Sequence, residues 1–200
     1  MSIYVGDSND IARTAKKLYV GGNGGIARSV IRAYAGDENN IARMVFGTPL
    51  RLYIIENGAL AAYWIRQATP KYNSSYTGVN PDRTFEDGYM DMYFSGNKCG
   101  NLNIQDRSQN RIDFTEYQKI CIDYYVSNAY AKLAISLQAN DNTYISSSNH
   151  LLDNLNSTTR TTAEFDISDV TGVQYFFLNM RTTSSSSSTR HAYIYNLWIE

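Results

Sequence analysis

Along residues 3–47 one pattern of apolar, turn-forming and basic positions is written three times, 15 residues apart. Ile3-Tyr4-Val5-Gly6 leads to Ile11-Ala12-Arg13, Leu18-Tyr19-Val20-Gly21 to Ile26-Ala27-Arg28, and Ala33-Tyr34-Ala35-Gly36 to Ile41-Ala42-Arg43. The leading half of each copy carries aromatic and β-branched residues that suit a pleated surface. Four turn formers follow, such as Asp7-Ser8-Asn9-Asp10, which tolerate positive φ or cap their own backbone. The trailing half keeps apolar residues at Ile11, Ile26 and Ile41. A helix over Asp10–Tyr19 would suit Ala, Arg and Lys. The turns leave it about seven residues, below the roughly 12–15 that an isolated helix needs. The spacing therefore predicts strand–turn–strand in each copy.

One such hairpin buries almost nothing alone, and short repeats become stable by sharing a core with neighbours. Two arrangements satisfy this: the copies stack as a small meander, or three chains intertwine so that each repeat borrows its core. In either, Val5, Ile11, Val20, Ile26 and Ile41 form the repeat core. Gly6, Gly21 and Gly36 set the turns, and Arg13, Arg28 and Arg43 pair between units or chains.

After the repeats, residues 48–84 read as a hinge with first strands and a loop. Pro49 stops a ladder. Asn57-Gly58 between the apolar runs Leu52–Ile55 and Leu60–Ile65 predicts a hairpin, and residues 69–84 are polar enough to be a loop. From Phe85 to Glu200 the period is two. Strands are predicted over 88–94, 102–104, 111–114, 119–126, 132–138, 163–167, 173–180 and 192–199, with one long polar loop over 139–162. Short strands at that spacing imply a two-sheet sandwich or jelly roll. The chain as a whole is expected to be all-β: repeats in 1–47, hinge and first strands in 48–84, a β-sandwich binding domain in 85–200.

Composition agrees: 17 Tyr, with charged residues only 18% of the chain. The net charge of −1 supplies no field to draw in nucleic acid. Residues 11–32 hold five Lys/Arg and no acid, which suits strands guarding their edges against aggregation. No apolar run approaches the ~20 residues of a membrane span, and no basic-then-apolar start predicts a secretory signal. Cys99 and Cys121 lack the spacing of a zinc site and are expected as free buried thiols.

Chemistry is sparse. His150 and His191, the only histidines, fit no Ser-His-Asp, HExxH or GxSxG pattern. The Gly21–Gly25 turn lacks the Gly-Lys-Ser/Thr ending of a phosphate loop, and the sister turns keep its place without its glycines. No enzyme, metal or cofactor is expected. The candidate ligand residues are aromatics and polar groups in loops: Tyr72, Tyr76, Tyr144, His150 and Arg190.

The repeat resembles the triple β-spiral shaft of viral fibre proteins. Its Ile-Tyr-Val-Gly and Ile-Ala-Arg segments resemble N-terminal repeats of structural and tail-associated proteins of phages and prophages. The strand order of the last hundred residues resembles carbohydrate-binding jelly rolls and galactose-binding-like domains. These resemblances imply a homotrimeric fibre or virion appendage, assembled in a host cytoplasm among other virion proteins and acting outside it on a cell-surface glycan. The alternative they leave is a monomeric carbohydrate-binding module with a repeat spacer.

Overall fold

The structure, a computed structural model of the chain, describes residues 51–68, 72–141, 144–183 and 188–200 in full, and the backbone of six short strands between Tyr4 and Gly47. The chain divides into two compact units, Met1–Pro49 and Leu50–Glu200.

In the first unit the six strands form three antiparallel pairs, one per repeat. β1 (Tyr4–Val5) pairs β2 (Arg13–Thr14), β3 (Tyr19–Gly21) pairs β4 (Ala27–Ser29), and β5 (Arg32–Gly36) pairs β6 (Ala42–Gly47). The register is the same each time: Val5 faces Arg13, Val20 faces Arg28, and Ala35 faces Arg43. Equal turn length fixes equal register, so the strand–turn–strand reading holds for every copy. Gly21 and Gly36 lie in these strands; Gly6, Ile11, Ile26 and Ile41 lie outside the described residues.

The second unit is a β-sandwich of two sheets. Its strands are β7 (Leu52–Glu56), β8 (Ala59–Leu60), β9 (Tyr63–Ala68), β10 (Thr77–Gly78), β11 (Asp82–Glu86), β12 (Tyr89–Ser95) and β13 (Lys98–Asp106), then β14 (Ile112–Asp113), β15 (Lys119–Val126), β16 (Ala131–Gln138), β17 (His150–Leu155), β18 (Thr161–Asp166), β19 (Val173–Thr182) and β20 (Thr189–Ile199). Sheet one runs β10-β13-β19-β16-β17, with β9 alongside β13 and β14 alongside β19. Sheet two runs β11-β12-β20-β15-β18, with the β7–β8 hairpin alongside β20. All pairings in both sheets are antiparallel except β10 with β13. The chain crosses repeatedly between the two sheets, and its last four strands, β17 to β20, alternate between them.

Period-two alternation sends one face of each strand inward. Met90, Met92, Ile120, Ile122, Ile194 and Leu197 from sheet two meet Leu102, Ile104, Leu133, Ile135, Phe176 and Leu178 from sheet one, all without solvent exposure. Each such side chain contributes about 1.5–3 kcal/mol of transfer free energy. The Asn57-Gly58 hairpin forms as expected, with φ of 49° and 76°, the mirror-image turn that matches strand twist. A Cβ on Gly58 would fall 2.0 Å from the Tyr89 backbone nitrogen, so only glycine fits.

Two segments differ from the sequence pattern. The stretch 139–162 is not one loop, because β17 lies within it. Asn154 sits at φ 58° and the pairing with β16 slips between Leu133 and Ile135. Such a bulge disrupts the alternation by which a strand is recognised. The stretch 69–84 likewise contains β10 and the start of β11. Neither cysteine forms a disulfide, and both are buried. Burial pushes the Cys121 thiol up to about 11, which keeps it protonated and inert.

Candidate functional site

A sandwich strand that is buried on both faces must be covered by something on its outer side. β13 is such a strand: Leu102 and Ile104 point into the core, while Cys99, Asn101, Asn103 and Gln105 point outward and are also buried. Amides and charges are seldom buried without partners. The outer face of sheet one nevertheless buries Asn101, Asn103, Gln105, Ser136, Gln138, Asn179 and Arg181.

Two loops roof most of this face. Ile145, in a short turn after β16, packs on Ala134 and Phe177, and Tyr72 packs beside them. The loops meet where the Ser146 N–H donates to the Tyr72 carbonyl at 3.2 Å. Tyr72 is also tied downward: its hydroxyl donates to Asp153 at 2.6 Å, and the Arg181 guanidinium lies 3.8 Å from its ring centre. Arg181, only 3% exposed, is paired with Asp153 at 2.6 Å. Burial raises the Asp153 pKa, but the Tyr72 and Arg181 hydrogen bonds outweigh it and hold the carboxyl below its ordinary value. Burial and the Asp153 bond push the Tyr72 hydroxyl up to about 12.

Beneath the roof Asn179 donates to Asn101 and to the Gly100 carbonyl. Asn103, 1% exposed, has no hydrogen-bond partner for either side-chain atom, and Asn179 has none for its oxygen.

One end of the face forms a transverse row. Trp64 on β9 faces Gln105 on β13. One residue past the last pairing of β13 with β19, Gln105 lies beside Tyr175, and Tyr175 faces Gln138 on β16. Trp64 is 37% exposed and has no ring contact with any described residue. Tyr175 stacks on Phe177 at 5.9 Å, and Arg111 covers it at 4.9 Å while donating to the Ala139 carbonyl at 3.3 Å. Aromatic and amide thus alternate across four strands, and two strand spacings, roughly 9.6 Å, separate Trp64 from Tyr175. The row ends at a cavity of about 350 Å³ lined by Gln138, Ala139, Asn140, Asn149, His150 and Gln174, among others.

The outer face of sheet two is built differently. Tyr93, His191, Tyr193 and Tyr125 stack in sequence, with centroids 5.4, 5.7 and 4.5 Å apart. Tyr89 meets Tyr193 edge-on at 5.3 Å. His191 Nδ1 lies 2.8 Å from Asp91, and burial raises the Asp91 pKa despite that partner. Arg160 pairs with Asp123 at 2.6 Å and covers Tyr195 at 3.7 Å. Here the ring faces are taken by one another.

The expected ligand residues are scattered by the fold. Tyr72 and Tyr76 touch edge-to-face at 5.5 Å in one roof loop, and exposed Tyr144 stands at the start of the other. His150 lines the cavity, with Asp169 3.9 Å from its Nδ1. Arg190 lies on β20 of sheet two, 5.9 Å from the Tyr130 ring centre. Sequence reasoning missed Trp64, Gln105, Gln138 and Tyr175. The available signal was Trp64 in Tyr63-Trp64-Ile65, the largest apolar side chain on the strand face opposite buried neighbours. Among the described residues no three His, Cys, Asp or Glu gather as a metal site, and no helix is long and apolar enough to cross a membrane.

No family model matches the chain, and no curated protein matches it. Solved structures do. The family 29 carbohydrate-binding module CBM29_1 from Piromyces equi superimposes with a TM-score of 0.48 at 10% identity, over 75% of this chain and 89% of that one. A point mutant of CBM29-2 gives 0.47 at 14% identity, over 76% and 91%. Another, complexed with mannohexaose, gives 0.48 at 10%, over 75% and 90%. At these scores the likeness bears on neither ligand nor binding residues.

Proposed function

We propose that the second unit is a non-catalytic carbohydrate-binding module, and that its ligand lies along the row Trp64–Gln105–Tyr175–Gln138. The observation that carries this is the alternation of aromatic rings and amides across the strands, leading into a cavity lined in part by Gln138, Asn149 and His150. Ligand sites combine apolar contact area with a few placed polar groups. A pyranose needs both, since its C–H face stacks on a ring while its hydroxyls seek amide donors and acceptors. Trp64 offers an unoccupied ring face, and Tyr175 is held in place by Phe177 and Arg111. An extended glycan laid across the strands would meet the two rings about a disaccharide apart.

The test is a glycan array with the full chain, followed by calorimetry on the strongest hit. Binding that falls roughly tenfold or more in Trp64→Ala supports the reading, as expected when a central aromatic anchor is removed. Binding unchanged in that variant defeats it.

A second reading concerns the first unit. The three hairpins share one register, which supports a repeating shaft that assembles three chains and attaches the module to a phage fibre or virion appendage. There it would act outside the cell on a host-surface glycan. Light scattering should then give three times the chain mass of 22.6 kDa, falling to one chain when residues 1–47 are removed. A single-chain mass for the full protein leaves the repeats as a spacer.

A further inference from the structure

Resting on the glycan reading above, we infer that the saccharide held on the Trp64–Tyr175 row is anionic, its acid groups taken by Arg66 and Arg111. Arg66 follows Trp64 on the same face of β9, opposite Asn103, about 6.8 Å further along the strand. Arg111 lies over Tyr175 and against Ala139, which lines the cavity. Arg66 thus stands two residues from Trp64 on the same strand face, and the Arg111 guanidinium lies over Tyr175.

Five described arginines, Arg66, Arg83, Arg107, Arg111 and Arg190, have no carboxylate partner; Arg66 and Arg111 are the ones placed beside Trp64 and Tyr175. Among the described residues the ion pairs join Arg51 to Glu200, Lys119 to Glu164, Arg160 to Asp123 and Arg181 to Asp153, with His150 near Asp169 and His191 near Asp91. Arg51 and Arg160, which cover Trp198 and Tyr195 on sheet two, each have an acid; Arg66 and Arg111, beside the row, do not. Guanidinium is weakly hydrated and matches carboxylate or sulfate with two parallel hydrogen bonds. Arg111 is already held by its ring contact and its bond to Ala139, so it loses little freedom on binding. A neutral glycan would use the rings and amides and leave both charges unanswered.

The test uses the full chain and calorimetry at low salt with three kinds of probe: oligogalacturonate, its fully methyl-esterified form, and sulfated and unsulfated forms of one neutral glucan oligosaccharide. The expected result is binding of an acidic probe roughly tenfold or more above its neutral counterpart, a gap that narrows as salt shortens the screening length. The double variant Arg66→Gln/Arg111→Gln should close the gap between acidic and neutral probes, read as their ratio because losing Arg111 also loosens Tyr175, while Trp64→Ala weakens both. Preference for the sulfated glucan alone supports the inference with sulfate as the group. Equal binding of charged and neutral probes, unaltered in the double variant, overturns the inference and leaves the glycan reading standing. If no glycan of either charge binds on the array or here, both readings fall together. A thermal melt of the double variant within a few degrees of the parent confirms that its fold is intact.

Discussion

The two outer faces of the sandwich are made from similar residue types and put them to opposite uses. Sheet two gathers Tyr89, Tyr93, Tyr125, Tyr193 and His191 into one array, with each ring spending its face or edge on a neighbour. Arg160 and Arg51 close its margins by covering Tyr195 and Trp198 while pairing with acids. Sheet one has fewer rings, places loops over most of its amides, and leaves Trp64 open at one end. Count of aromatics is thus a poor guide to where a ligand sits. What matters is whether a ring face is still open to a ligand, as that of Trp64 is.

Several substitutions would break or sharpen this contrast. The largest effect is expected at Asp153. Removing it by Asp153→Ala strands the Arg181 charge beneath the roof and should cost about 3 kcal/mol in urea unfolding. The same pair gives a pH signature. Its carboxyl is depressed in the folded state, so its stabilisation is complete above the unfolded carboxylate range, near pH 4. It is lost as pH falls through the lower folded value. Parent and Asp153→Ala stabilities should therefore converge in acid, and a constant difference down to pH 2 would contradict the assignment.

Next comes Trp64→Ala. The side chain is 37% exposed, so its partial burial should cost about 1–2 kcal/mol of stability on removal, while glycan affinity falls roughly tenfold. Loss of fold instead of affinity would make Trp64 a packing residue. Asn103→Leu follows. Its amide is buried without partners, and an unpaired buried polar group costs about 1–3 kcal/mol, so this near-isosteric change should raise the unfolding midpoint. A lowered midpoint would mean that the amide is satisfied. Smaller still is Asp123→Ala on sheet two. Its partner Arg160 is 54% exposed, and such a pair is worth about 1 kcal/mol or less. Tyr193→Phe should leave glycan binding unchanged.

How much of this was written in the sequence follows from what each feature depends on. The hairpins of the repeat were legible because turn length and pairing are local; three equal spacings gave three equal registers. The Asn57-Gly58 turn was legible for the same reason. β17 was not, because its bulge at Asn154 breaks the period that marks a strand. The row of alternating rings and amides was out of reach. It exists only when β9, β13, β19 and β16 are set side by side, so Trp64, Gln105, Tyr175 and Gln138 become neighbours through long-range register alone. Tyr72 shows the converse. Its polar loop suggested a ligand contact, yet its hydroxyl is committed to Asp153, 81 residues away.

The chain offers its own reporters for the central claim. It has two tryptophans, Trp64 on the outer face of sheet one and Trp198 on that of sheet two, where its Nε1 donates to Glu200 at 3.1 Å. Their indole N–H resonances in the nitrogen-labelled full chain can be followed while a glycan from the array is titrated in. The account predicts that the Trp64 resonance shifts and saturates while Trp198 stays in place. A shift of Trp198 with Trp64 unmoved would put the ligand on the tyrosine array of sheet two and contradict it.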